Sequence, residues 1–445
     1  MPKRPLLATA AATAHEATDM TIAIFLGALL GAMAIGVPIA YSLLLCGVAL
    51  MWHLDLFDAQ ILAQNVINGA DSFPLLAVPF FMLAGEAMNQ GGLSRRIVNL
   101  ALAVVGHVRG GLGYVAIVAA CILSALSGSA VADAAALSAL LIPMMVAAGH
   151  DKARSGGLIA ASGVIGPIIP PSIGFVIFGV AANVSISKLF LAGIFPGILI
   201  GASLWFTWWW LVRKEKVLPP PRKSKGEMLT ALREATWALL LPLIILVGLR
   251  FGIFTPTEAA VVAAVYAIFV ATVVYRELKP SQFYAMFVSA AKTSAIVMFL
   301  VAAAMVSAWL ITVADLPAKL VALLEPLIAS PMLLMIVIMV LVMAVGTAMD
   351  MTPTILILTP VLMPVVKAAG IDPIYFGVLF IINNSIGLIT PPVGTVLNVV
   401  AGVGRMKMDE LTRGVWPFAL AEFGMMFLMV MFPQLVIWPA RLLSG

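Results

Sequence analysis

Run after run of apolar residues in this chain exceeds the roughly 18 that suggest a helical bilayer crossing, and nothing else limits its fold as strongly. Lipid offers no partner to a stray N–H or C=O, so a spanning segment must be a helix or a strand of a closed barrel. The runs are continuous rather than alternating, which excludes barrel strands. The chain therefore reads as an all-α polytopic membrane protein, with the lipid bilayer as its solvent. Of its 445 residues 63% are hydrophobic and 10% charged, against roughly 25% charged in soluble domains. Mean hydropathy is +1.13, so a water-soluble globule is excluded. The net charge of +5 comes from basic loops, which report membrane orientation rather than a nucleic-acid partner. Cys46 and Cys121 lie in apolar stretches and offer neither a disulfide framework nor a metal-binding pair.

Residues 1–19 open with Lys3, Arg4 and a short Leu/Ala/Thr stretch, a weak version of a signal peptide. His15, Glu16 and Asp19 follow, so the segment is read as a non-structural extension from an over-called start codon, ahead of Met20. Cytoplasmic loops are enriched in Lys and Arg. That rule puts inside Arg95, Arg96 and Arg109, Lys152 and Arg154, the basic run 213–225, Arg276 and Lys279, and Arg405, Lys407 and Arg413. The positive-poor stretches 52–73, 183–187, 253–257 and 367–373 then read as external loops. Within one of them, Thr255-Pro256-Thr257-Glu258 is a capping box that predicts a helix from residue 256.

The chain also repeats itself. Pro143 answers to Pro364, 221 residues on, and the same spacing pairs Asp151 with Asp372, Gly156 with Gly377, Gly166 with Gly387, Pro170-Pro171 with Pro391-Pro392, Gly193 with Gly414 and Pro196 with Pro417. Upstream, Gly128 and Gly346 match after a shift of three. Lys152 and Arg154 follow Asp151, but nothing basic follows Asp372, while Arg405, Lys407 and Arg413 face Lys188 alone. Opposite charge bias at equivalent points means two inverted-topology repeats, the construction of many secondary transporters. The implied division is 20–105 scaffold helices, 106–212 first repeat, 213–234 basic cytoplasmic loop, 235–315 further scaffold helices and 316–445 second repeat.

Each repeat carries a candidate broken helix, at 162–172 and at 383–394. A Pro-Pro pair with glycine four residues before it should unwind about one turn, because proline lacks the N–H and disfavours helix in the residue before it. Freed carbonyls beside hydroxyls suit a hard cation such as Na⁺. Ahead of each break lies an apolar segment with its own polar interruption, at 124–133 and 346–354. Flanks of about 15 residues with one orientation signal fit re-entrant hairpins. Asp133 and Asp350, just beyond the tips, are costly in lipid and must face protein or water, as local N–H acceptors or as substrate contacts together with Ser129 and Thr352.

The motifs SGSAVADAAAL, IGPIIPPS, TPTEAA and MDMTPTILILTPVLMP through NNSIGLITPPVG resemble the large membrane subunit of the TRAP (tripartite ATP-independent periplasmic) transporters, from about Met20 to the carboxyl end. The resemblance implies an elevator-type secondary transporter in the bacterial inner membrane. Such a transporter takes a small organic acid from a periplasmic substrate-binding protein, uses the Na⁺ gradient, and works beside a small four-helix membrane subunit. It also implies two sodium sites. One would use Ser124 and Ser127 with the carbonyls of Gly166, Ile169 and Pro171; the other would use Gly346, Gly387, Thr390 and Val393.

Competing functions are disfavoured by what the sequence lacks. It has no GxxxxGK[ST] phosphate loop and no HExxH, and His15, His53, His107 and His150 are scattered, so neither an ATPase nor a metalloenzyme is indicated. Two inverted copies in one chain favour alternating access over a channel pore. The runner-up is a stand-alone Na⁺/carboxylate symporter of the divalent-anion type. The carboxylate could be met by helix N-termini at the breaks without any arginine.

Overall fold

The computed structural model describes residues 20–21, 23–215, 217 and 219–444; the extension expected at 1–19 lies outside them. Every regular element among the described residues is helical. The first five helices are α1 (Ala23–Ala34), α2 (Ile39–His53), α3 (Ala59–Ala70), α4 (Ala77–Gln90) and α5 (Leu93–Val105). Next come α6 (Gly111–Ser127), α7 (Ala130–Ala147), α8 (Lys152–Gly163), α9 (Ile173–Ala182) and α10 (Ile186–Val212). The middle of the chain holds α11 (Lys225–Arg250), α12 (Pro256–Phe269), α13 (Pro280–Val313) and the short α14 (Leu316–Leu323) and α15 (Glu325–Ile328). The rest is α16 (Pro331–Gly346), α17 (Met351–Ala368), α18 (Pro373–Gly387), α19 (Thr395–Gly404), α20 (Met408–Met431) and α21 (Gln434–Ser444).

Seven of these helices are long and apolar enough to cross a membrane, or eight if the bent pair 59–70 and 73–90 forms one span; α7 and α17, at 18 residues each, are among them and exceed the flanks of about 15 expected for re-entrant hairpins. Their outward surfaces are themselves apolar: Phe206, Trp210, Ile296 and Val265 are all more than 60% exposed. Water would penalise such a surface, and lipid accepts it. Polar side chains are instead found inside, among them Ser124, Ser162, Asn383, Asn384 and Glu422.

Local chemistry sets several helix starts as expected. Thr255 and Glu258 form the reciprocal capping box that opens α12 with Pro256 at its first position. One expected loop is instead partly helical. Within 52–73, Asp58 accepts hydrogen bonds from Gln60 N and Ile61 N, at 2.7 and 3.3 Å, and so caps α3. Gly69 then lets α3 back directly onto Met305 and Ala302 of α13. Within the basic stretch 213–234, a second capping box, Ser224 with Glu227, starts α11.

The breaks are longer than the single turn expected. Between α8 and α9 the chain runs through 164–172, and between α18 and α19 through 388–394. Three-residue turns such as Gly166 N to Gly163 O (3.0 Å) and Thr390 N to Gly387 O (3.0 Å) tighten each helix end before it stops. Both Pro-Pro bonds, 170–171 and 391–392, are cis. Two hairpins precede the breaks, α6–α7 turning at Gly128 and Ser129, and α16–α17 turning at 347–350. In the first, the two arms pack on each other. In the second they touch less, α16 and α17 both lying on α18 while α17 leans also on α9, α13 and α14.

A polar cluster ties the loops on the side read as cytoplasmic. His150 Nδ1 lies 3.0 Å from Glu215 Oε2, and Arg154 pairs with Glu215 Oε1. Arg109 donates to the carbonyls of Arg213 and Glu215 at 2.9 and 2.7 Å. Burial alone would raise the Glu215 pKa, but the His150 hydrogen bond and the Arg154 charge outweigh it and hold the carboxyl below the ordinary 4.5. A depressed carboxylate contributes stability that is complete above its unfolded value and is lost as pH falls through its folded one. The melting temperature of the purified chain should therefore decline below about pH 4.5, and Glu215→Gln should flatten that decline in a pH series of thermal melts. An unchanged slope in the variant would show that the acid limb originates elsewhere.

Candidate cation and substrate site

At each break a hairpin tip touches it through glycine. Gly128 sits at φ +61°, the left-handed region that disfavours a side chain, and a Cβ there would run into the Pro171 carbonyl. On the other side, a Cβ on Gly166 would lie 2.9 Å from Ala130 N and 3.0 Å from Asp133 Oδ2. The second copy repeats the contact: a Cβ on Gly387 would lie 2.8 Å from Gly346 O and 2.9 Å from its carbon. Val393 N also donates to Thr347 O across the tip, at 3.3 Å.

Around the first tip, Ser127 Oγ donates to Asp133 Oδ1 at 2.6 Å and accepts from Ser129 N at 3.2 Å. Asp133 Oδ2 is buried with no partner. Thus Asp133 accepts from a hydroxyl rather than from the backbone N–H considered for it. Ser124 is fully buried and donates to Ala120 O at 2.6 Å. With its proton committed there, its lone pairs remain to accept a cation. No hydrogen bond among the described residues ends on the carbonyls of Gly166, Ile169 or Pro171.

The second tip presents Gly346, Gly387 and Thr390. Thr390 Oγ1 donates to Ile386 O at 2.8 Å, again leaving its lone pairs free. The carbonyl of Val393 already accepts from Asn398 Nδ2 at 2.9 Å, and that of Gly387 from Thr390 N at 3.0 Å, so each has one lone pair to spare. Asp350 is exposed and accepts from Thr395 Oγ1 at 3.3 Å; it makes no side-chain cap. Thr352 lies half-buried in the first turn of α17. The structure thus draws Ser127, Ser129, Asp133, Gly166 and Pro171 to one tip, and Gly346, Gly387 and Val393 to the other. Ser124 lies one turn before the first tip; Asp350 and Thr352 stand at the rim of the second.

Two buried polar groups were not among the expected ligands. Ser162 Oγ has no partner, and Asn384 Oδ1, also unpartnered, lies 3.8 Å from where a Gly346 Cβ would be. Their signal was a polar side chain in the last turns of a helix, just ahead of the break.

Helix ends reinforce this chemistry. Each break gathers the C-termini of two helices (α6 and α8; α16 and α18) and the N-termini of two others. C-termini present carbonyls to a cation, and N-termini present N–H groups to an anion. In the first copy both N-termini are capped by serine, Ser129 on α7 and Ser172 on α9. In the second, α17 and α19 have no side-chain cap, although Val396 N of α19 already donates to Leu388 O at 3.1 Å. Oxygens without full charge fit a hard monovalent cation.

The family profile described as "Tripartite ATP-independent periplasmic transporter, DctM component" matches residues 26–435. The chain belongs to this family, as a TRAP transporter large permease. A relative, the 2,3-diketo-L-gulonate TRAP transporter large permease protein YiaN of Escherichia coli, is 58% identical over 422 residues, 95% of this permease and 99% of its own length. The sialic acid TRAP transporter large permease protein SiaM of Vibrio cholerae is 39% identical, covering 94% of this permease and 97% of itself. Among solved structures, the YdaH transporter of Alcanivorax borkumensis superposes with a TM-score of 0.65 at 18% identity, over 86% of this permease and 91% of that chain. At that identity the likeness is one of fold.

Proposed function

We propose that this permease is the large subunit of a Na⁺-coupled importer that moves a small carboxylate across the bacterial inner membrane. The observation carrying the reading is the pair of helix breaks, each met by a hairpin tip through a glycine contact and each with carbonyls or hydroxyl lone pairs unspent. Ser124, Ser127, Gly166, Ile169 and Pro171 would hold one Na⁺, and Gly346, Gly387, Thr390 and Val393 the other. The substrate class follows the relatives: 2,3-diketo-L-gulonate and sialic acid, named for YiaN and SiaM, are both polyhydroxylated carboxylates. The tripartite character named in the family description supports two partners, a small membrane subunit and a periplasmic binding protein.

Both repeats share one element order, hairpin, half-helix, break, half-helix, long helix, in α6–α10 and α16–α20. With the opposed charge bias of their loops, this supports inverted copies whose hairpins and broken helices travel together past a scaffold of 20–105 and 235–315, as an elevator. α13 packing on α2, α3 and α4, and α12 on α4, is consistent with that scaffold.

Reconstitution tests the proposal. Proteoliposomes bearing the permease and its small subunit, with an inward Na⁺ gradient and binding protein outside, should accumulate labelled 2,3-diketo-L-gulonate. The permease alone should not. Uptake by the isolated chain would favour the stand-alone symporter, and uptake indifferent to Na⁺ would end the sodium reading.

A further inference from the structure

A cleft of about 520 Å³ separates the α4–α5 corner from α7. We propose that the carboxylate of the transported acid is held in this cleft on the cytoplasmic side, with Arg95 as its cationic partner. This rests on the reading of the chain as a carboxylate permease and adds a residue to the substrate's path that neither hairpin tip nor helix break supplies.

The charged residues lining the cleft, Arg95 and Glu277, are one of each sign, but Arg96 behind them adds a third charge. Arg95 Nη2 lies 2.9 Å from both oxygens of Glu277, and Arg96 Nη1 lies 2.7 Å from Oε1 of the same carboxylate. Two guanidinium groups share one acid, which leaves one positive charge over. Arg96 is held in place: its side chain is 17% exposed and stacks 3.8 Å above the Tyr275 ring. Arg95 is 58% exposed and lines the cleft, so the surplus charge is available there. Beside it, Ser94 Oγ donates to Asn89 Oδ1 at 2.9 Å, and Asn89 Nδ2 has no acceptor among the described residues, a donor suited to a substrate hydroxyl or keto oxygen.

The opposite wall is Ala132, Ala135, Ala136 and Ala139, one face of α7 at helical spacing. It spans about 10 Å along the helix and begins one residue before Asp133, at the hairpin tip. A ligand between the walls finds polar partners on the α5 side alone, while the alanines leave it room. The volume lies within the roughly 300–1,000 Å³ of small-molecule sites. Because the arginine belongs to the proposed scaffold and the alanines to the proposed moving unit, the acid meets Arg95 only when α7 stands opposite it. That makes the contact a feature of the inward-facing, releasing state.

The test is equilibrium binding of labelled 2,3-diketo-L-gulonate to the permease co-purified with its small subunit in sodium chloride. Arg95→Gln should weaken binding about ten- to hundredfold, the range of a hydrogen bond to a charged group. Arg95→Lys should recover part of the loss, since it restores the charge without the planar fork. Glu277→Gln should tighten binding, because Arg95 is then no longer shared with an acid. Wild-type affinity in Arg95→Gln overturns the inference and leaves the transport reading intact. So does Glu277→Gln weakening binding as much as Arg95→Gln, which would make the pair a structural clamp. No binding by the wild-type complex would instead sink the carboxylate reading itself, and this site with it.

Discussion

Gly387→Ala should abolish substrate uptake by the reconstituted permease. The added methyl would lie 2.8 Å from Gly346 O and 3.1 Å from Gly346 Cα, and both are backbone atoms that no rotamer change can move aside. The hairpin tip must back away from the break, which separates two of the oxygens proposed to share a cation. Overpacking of this kind costs about 1–3 kcal/mol. Gly128→Ala should act in the same way at the first tip. It meets the Pro171 carbonyl and in addition forces a side chain into left-handed geometry at φ +61°, which costs roughly 1–2 kcal/mol. Uptake assays beside thermal melts separate the two effects: transport should vanish while the protein remains folded. Wild-type uptake in both variants would show that neither tip has to touch its break.

The second large effect concerns sodium activation. Ser127→Ala removes the donor that Asp133 Oδ1 accepts from at 2.6 Å, leaving a buried carboxylate with neither oxygen paired, since Oδ2 has no partner already. It also removes the acceptor for Ser129 N. The proposed cation also loses the Ser127 hydroxyl as a ligand, and a polar contact to a charged group is worth about 1.5–3 kcal/mol, so the Na⁺ concentration for half-maximal uptake should rise about tenfold or more. Thr390→Val keeps the shape of the second site and deletes its hydroxyl, and a rise of similar size is expected. Unchanged sodium activation in both variants would remove the assignment of these residues to cation sites.

The parts of the site legible in the sequence are those that covalent chemistry fixes locally. Pro170-Pro171 and Pro391-Pro392 must stop a helix wherever they stand, and α8 and α18 do stop ahead of them. Thr255 with Glu258 must start one, and α12 starts there. Ser129, Asp133 and Gly346 were legible for a related reason. Polar or glycine residues in the middle of an apolar run have few uses other than a turn or a site, and the structure puts all three at hairpin tips. Asp58 is a cap signal just as local, but the reading of 52–73 as a loop leaves it out, and α3 stands there.

Continuous apolar runs, their polar interruptions and the Pro-Pro pairs were enough, from the sequence by itself, to determine a helical membrane protein whose helices stop at two marked breaks. These are properties of short segments whose energetics depend on neighbours in the chain. Only the tertiary structure decided that Gly387 touches Gly346, that Asn384 lies beside that contact, that α17 of the second hairpin leans on α9, α13 and α14 as well as on α18, and that Arg95 and Arg96 share Glu277 across a cleft from α7. The residues in those contacts lie from about 40 to more than 180 positions apart. Their pairing is set by how whole helices pack, which no local preference encodes.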